Sequence, residues 1–199
     1  MKRYQYAQLS LLCLALAFTV GCQPKARIMD ANEDDLVASS GAGAPTYDRL
    51  VAQSVEKLLQ SHSAAKGGLD KLKVAVMKVE NKGVEELVDW QEQLYQLTTT
   101  SINQSNRYRT VSVRFVDAAL RETRLRPDQL FLPKYRRQFV AELEAQGSPV
   151  EALLFPTLTT GTTFGVNARQ RNYLYTLELV DVETGWNEKV SSRVNKSFR

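Results

Sequence analysis

The stretch YLYTLELV, residues 173–180, decides the fold. In an extended chain Tyr173, Tyr175, Leu177 and Leu179 share one side, while Leu174, Thr176, Glu178 and Val180 share the other. A period of two with aromatic and β-branched residues reads as a strand with one buried face, and we place it at residues 172–182. Glu183, Thr184 and Gly185 follow as a hairpin turn. Residues 187–196 then return antiparallel. The largely apolar run 151–159 is a further strand, joined to the first by a polar loop over 161–170.

Working toward the N-terminus, Tyr135, Phe139, Val140 and Leu143 recur at helical spacing, and Gly147-Ser148-Pro149 closes that helix. Arg126-Pro127-Asp128 is a turn, because proline restricts the residue before it. A short helix is expected at 116–125 and a short strand at 109–115. Trp90, Leu94, Leu97 and Ile102 mark another helix starting near Asp89. Residues 72–79 alternate as a strand that ends in a turn at Asn81-Lys82-Gly83. Tyr47, Leu50, Val51, Val55, Leu58 and Leu59 form the first helix, with Thr46 as its N-cap. The order implies an α/β domain: a mixed four- to five-stranded sheet packed with helices and ending in a β-meander.

The domain occupies residues 47–199 of a 199-residue chain. Residues 1–21 have the anatomy of a signal peptide: Lys2 and Arg3, then an apolar run from Leu11 to Phe18 too short to span a bilayer. The run ends in Thr19-Val20-Gly21-Cys22, which resembles a bacterial lipobox. Cys22 is therefore the expected lipid attachment site, and Cys13 is lost with the leader. More than one acyl chain is needed for a durable anchor. Gln23 rather than Asp follows the cysteine, which by analogy favours the outer membrane. Residues 22–46 read as a lipidated N-terminus and flexible tether, ending in the Gly/Ala/Ser-rich stretch before Pro45. Stretched out, it reaches about 80 Å.

Of the 26 basic residues, nine lie between Arg107 and Arg137, opposed there only by Asp117, Glu122 and Asp128. This stretch is either a solvated basic face or a docking face for an acidic partner or anionic lipid. Export makes nucleic acid an unsuitable partner. Catalytic signals are weak. His62 is the single histidine, so no zinc site or histidine triad can be assembled around it. Gly161-Thr-Thr-Phe-Gly165 lacks the Lys and Ser/Thr of a phosphate loop. Glu85, Glu86 and Asp89 suit a helix N-terminus. Two acids across a cleft would be needed for glycoside cleavage. Trp90, Tyr95, Tyr173 and Tyr175 are expected in the core. No metal, cofactor or small-molecule substrate is expected, and the chain is not expected to be an enzyme.

Four segments, VAVMKVENK (74–82), SNRYRTVS (105–112), ALLFPTL (152–158) and YTLELVDVETG (175–185), resemble in order and spacing the penicillin-binding protein activator LpoB family. The final motif also resembles proteins with a TolB-N-terminal-like or CsgG-like fold. The resemblance implies an outer-membrane lipoprotein that faces the periplasm, docks on a bifunctional penicillin-binding protein and activates peptidoglycan synthesis without doing chemistry itself. For partner binding, the expected residues are Arg124 and Arg126 in the basic stretch and Phe164, Arg169 and Arg171 in the 161–171 loop, since Arg and aromatic residues are enriched at interfaces. The alternatives are a structural subunit of an envelope secretion or assembly complex, or a wall-cleaving enzyme.

Overall fold

A computed structural model describes residues 42–63, 71–83, 87, 90–164 and 169–198, all within one unit spanning 34–199. The expected signal peptide, Cys22, Glu85, Glu86 and Asp89 lie outside the described residues, as do the side chains of His62 and Arg169.

The alternating stretch is the middle of a meander. Strands β4 (Ala152–Phe164), β5 (Arg169–Asp181) and β6 (Asn187–Phe198) pair antiparallel. Upstream, β1 (Leu72–Val76) pairs in parallel with both β3 (Tyr108–Thr110) and β4. The two-residue β2 (Glu80–Asn81) pairs in parallel with β4. The result is a mixed sheet in the order β3-β1-β4-β5-β6, with β2 alongside β4.

Several expected boundaries change. The strand expected over 72–79 breaks after Val76: Val76 faces Leu154 and Glu80 faces Thr157, so four steps on one strand match three on the other. One extra residue of this kind is a bulge. The strand expected over 109–115 stops at Thr110, because Ser112 caps the next helix by accepting from the Arg114 N–H. The polar loop expected over 161–170 is mostly hydrogen-bonded ladder, with Gly161 opposite Asn172 and Phe164 opposite Arg169. Ladder bonds need no apolar face, and the β-branched Thr162 and Thr163 suit an extended backbone. Residues 165–168 lie outside the described set.

Helix α1 (Ala44–Ser63) begins earlier than expected, so Thr46 sits in its first turn instead of capping it, and its N–H donates to Gly43 O at 3.0 Å. Pro45 fits there because a first-turn N–H has no helical acceptor. Helix α2 is Trp90–Gln104, α3 is Val113–Thr123 and α4 is Pro133–Ala145. A 3-10 helix, Pro127–Phe131, replaces the expected turn.

These elements make three layers. α1 and α2 cover one sheet face, burying Val74, Leu154, Leu158, Tyr173, Tyr175, Leu177 and Leu179. The side of β5 predicted to be buried is therefore buried. α3, the 3-10 helix and α4 cover the other face around Ala75, Met77, Leu153, Phe155 and Val180. Trp90 packs against the first core, where its ring lies 5.1 Å from that of Tyr47. Lys57 Nζ donates to Ser191 O on the outermost strand at 2.7 Å, a charged cover over a sheet edge of the sort that discourages further strand pairing.

Candidate functional site

One residue of the basic stretch departs from a solvated face. Arg136 is 4% exposed. Its Nε donates to Val182 O at 3.1 Å and its Nη1 to Phe131 O at 3.3 Å. The remaining basic residues of the stretch are exposed. Arg107 donates to Leu59 O, Arg121 to Asp117 O, and Arg126 pairs with Asp128 at 3.0 Å. The sequence already held the signal that separates Arg136. It stands three, four and seven residues before Phe139, Val140 and Leu143, on the apolar stripe of α4.

Arg136 joins two surface segments. One is the end of the 3-10 helix, where Phe131 stacks on Phe155 at 4.5 Å between ring centroids. The other is the β5–β6 turn. Gly185 there has φ +74°, and a Cβ at that position would come within 2.5 Å of Arg136 Nη2. Asp181 shapes the turn: its Oδ1 accepts from Glu183 N, Thr184 N and Thr184 Oγ1 at 3.1, 2.8 and 2.8 Å. Its own N–H donates to Trp186 O at 2.9 Å. Trp186 is 81% exposed and Leu132 55% exposed on the two sides of this guanidinium.

The five residues expected to bind a partner fall into two groups. Arg124 and Arg126 precede the 3-10 helix, both exposed, with Arg124 closing α3 in a left-handed conformation at φ 55°. Phe164 and Arg171 lie at the opposite end of the β4–β5 pair, Phe164 being 75% exposed. Phe164 is nine residues along β4 from Phe155, about 30 Å at strand rise. Arg171 stands opposite Lys196 in the ladder. Sequence reasoning missed Trp186, Phe131 and Leu132. A tryptophan just after a turn glycine was the available sign.

Among the described residues, no cluster of three His, Cys, Asp or Glu side chains could hold a metal ion. No helix among them is long and apolar enough to cross a membrane.

No family model and no curated protein matches the chain. Among solved structures it is similar to the C-terminal domain of LpoB from Salmonella enterica, at 19% identity and TM-score 0.48, over 73% of this chain and 97% of that one. It is also similar to Escherichia coli LpoB, at 15% identity and TM-score 0.49, over 89% and 86% of the two chains. A lipoprotein from Neisseria meningitidis is similar at 14% identity and TM-score 0.45, over 63% of this chain and 83% of its own.

Proposed function

We propose that the chain is a lipid-anchored, non-catalytic regulator on the periplasmic side of the outer membrane, which binds a bifunctional penicillin-binding protein and activates peptidoglycan synthesis. The observation that carries this reading is where the four resembling segments fall. Residues 74–82 are the end of β1 with β2, 105–112 hold β3, 152–158 open β4, and 175–185 end β5 and form its turn. Segments scattered along the sequence thus become the neighbouring strands β3-β1-β4-β5. The lipobox-like run ending in Cys22 supports the anchor. Arg124 and Arg126 serve as one docking group, and Phe164, Arg169 and Arg171 as a second at the hairpin tip.

An activator of this kind acts only by binding the active state of its partner more tightly than the inactive one. A tenfold rise in the ratio of active to inactive synthase needs about 1.4 kcal/mol of differential affinity. The test uses the full-length protein in detergent with the purified bifunctional synthase of the same cell. The expected result is faster glycan polymerisation and cross-linking, lost when Arg124, Arg126, Arg169 and Arg171 are changed to Glu. An unchanged synthase rate with the wild-type chain overturns the reading. Radiolabelled palmitate that fails to enter at Cys22 overturns the anchor.

A further inference from the structure

Exposed aromatic residues scattered singly over a surface need no explanation, whereas a contiguous group does. Trp186, Leu132 and Phe131 are all exposed, and Phe131 O, Val182 O and the Gly185 backbone that precedes Trp186 meet at the Arg136 guanidinium. The α4 N-terminus closes the same junction, since Arg136 N donates to Leu132 O at 3.0 Å. Trp186 does not ride on a loose loop: its carbonyl is bonded to Asp181 N, and its own N–H donates to Thr184 Oγ1. A large apolar side chain presented on a backbone already fixed loses little freedom when it is covered.

We infer that Trp186, Leu132 and Phe131 form the apolar centre of a docking surface for a protein partner with an acidic surface. The charge around them selects that chemistry. Arg124, Arg126, Lys134 and Arg137 are exposed along the segment that carries Phe131 and Leu132, against Asp128, which is already paired with Arg126. Glu183 in the turn is the exposed acid on the other side. Trp and Arg at the centre and edge of a patch are the residue types that carry most binding energy. Tryptophan with basic residues also suits a membrane surface, but the described chain enters the domain at another place. α1 starts beside Tyr173, where the Tyr47 and Tyr173 rings meet at 6.5 Å. Tyr173 is eight residues, or about 26 Å, along β5 from Asp181. The start of α1 thus lies at the far end of β5 from the patch.

Identifying the partner as the synthase rests on the function proposed above; the existence of the surface does not. Photo-crosslinking separates the two. The photoreactive residue benzoylphenylalanine is placed at 186, 132 or, as a control on α1, 49 of the full-length chain in whole cells, and adducts are identified by mass spectrometry. Adducts from 186 and 132 to the synthase, with none from 49, support both claims. Adducts to a different protein through an acidic surface support the docking surface and overturn the synthase reading. No adduct, an adduct only to phospholipid, only to a second copy or only to a non-acidic surface overturns the docking surface. With the partner so identified, Trp186→Ser in the full chain is expected to weaken binding about tenfold or more, with thermal unfolding unchanged. Unchanged affinity overturns the role of Trp186.

Discussion

The two faces of the sheet bury polar groups in opposite ways. The α1/α2 face uses neutral hydroxyls. Tyr175 is wholly buried, and Thr98 Oγ1 meets its hydroxyl at 2.7 Å. Thr98 gives its own proton to Leu94 O, so Tyr175 is the donor. Tyr47, Tyr95 and Tyr108 are buried in the same core. The α3/α4 face uses a permanent cation, Arg136, satisfied by carbonyl groups from two segments. The hydroxyls hold helices to a sheet and stay inside. The guanidinium fixes loops at the surface, and Trp186 and Leu132 are exposed beside it. One face keeps its polar groups inside the core, and the other brings a buried cation to the edge of its core, beside exposed apolar side chains.

Alkali should separate the two faces most strongly. Burial, then the nearby Glu92 and Asp117 carboxylates, push Tyr95 up to about 12. Burial raises Tyr108 further, helped by Glu188 and opposed by Arg107. Burial also raises Tyr175, with Thr98 opposing, and it raises Tyr47. In the unfolded chain each phenol ionises near pH 10. Above that pH the unfolded state sheds protons that the folded state keeps, so stability falls as pH rises. It is unaffected by these groups below pH 10 and drops by about 1.4 kcal/mol per pH unit for each raised tyrosine beyond it. Urea unfolding between pH 9 and 12 should show a loss of several kcal/mol. Tyr95→Phe should flatten the curve by one tyrosine's share. An identical slope in that variant would break the contrast between the faces.

Arg136→Ala tests the other face. It removes two charge-assisted hydrogen bonds and the packing of the arginine stem, at an expected cost of about 3 kcal/mol. Denaturant unfolding of the variant beside the wild type checks this. An unchanged midpoint would mean that the Arg136 hydrogen bonds and stem packing do not hold the two segments together.

Where burial falls on one side of an element, the sequence already displayed it. The alternation of residues 173–180, the helical stripe of α4 and the glycine of the β5–β6 turn all read correctly, because each is local. The misreadings have physical causes as well. Thr162, Thr163, Gln170 and Arg171 lie in the ladder beyond the two core-facing tyrosines, and polar strands there look like a loop because no buried face stamps a period on them. Ser112 ended one strand by capping a helix, a choice between two local structures that propensity alone leaves open. Of the surface, the exposed arginines just before the 3-10 helix were visible as charge. The apolar residues beside them were not, since Phe131 and the segment that leads into the turn are linked through the reach of the Arg136 side chain from α4.

That junction can be probed without touching the arginine. Gly185→Ala puts a methyl group 2.5 Å from Arg136 Nη2, on a backbone with φ +74°. The left-handed conformation alone costs a non-glycine residue about 1 kcal/mol. The guanidinium cannot swing aside cheaply, because it is buried and bonded to two carbonyls. The combined cost should be about 2 kcal/mol. In an Arg136→Ala background the steric part disappears, and Gly185→Ala should cost only the backbone share of about 1 kcal/mol. Denaturant unfolding of the two single variants and the double variant measures the coupling. Additive costs would mean that Arg136 and Gly185 do not press on one another.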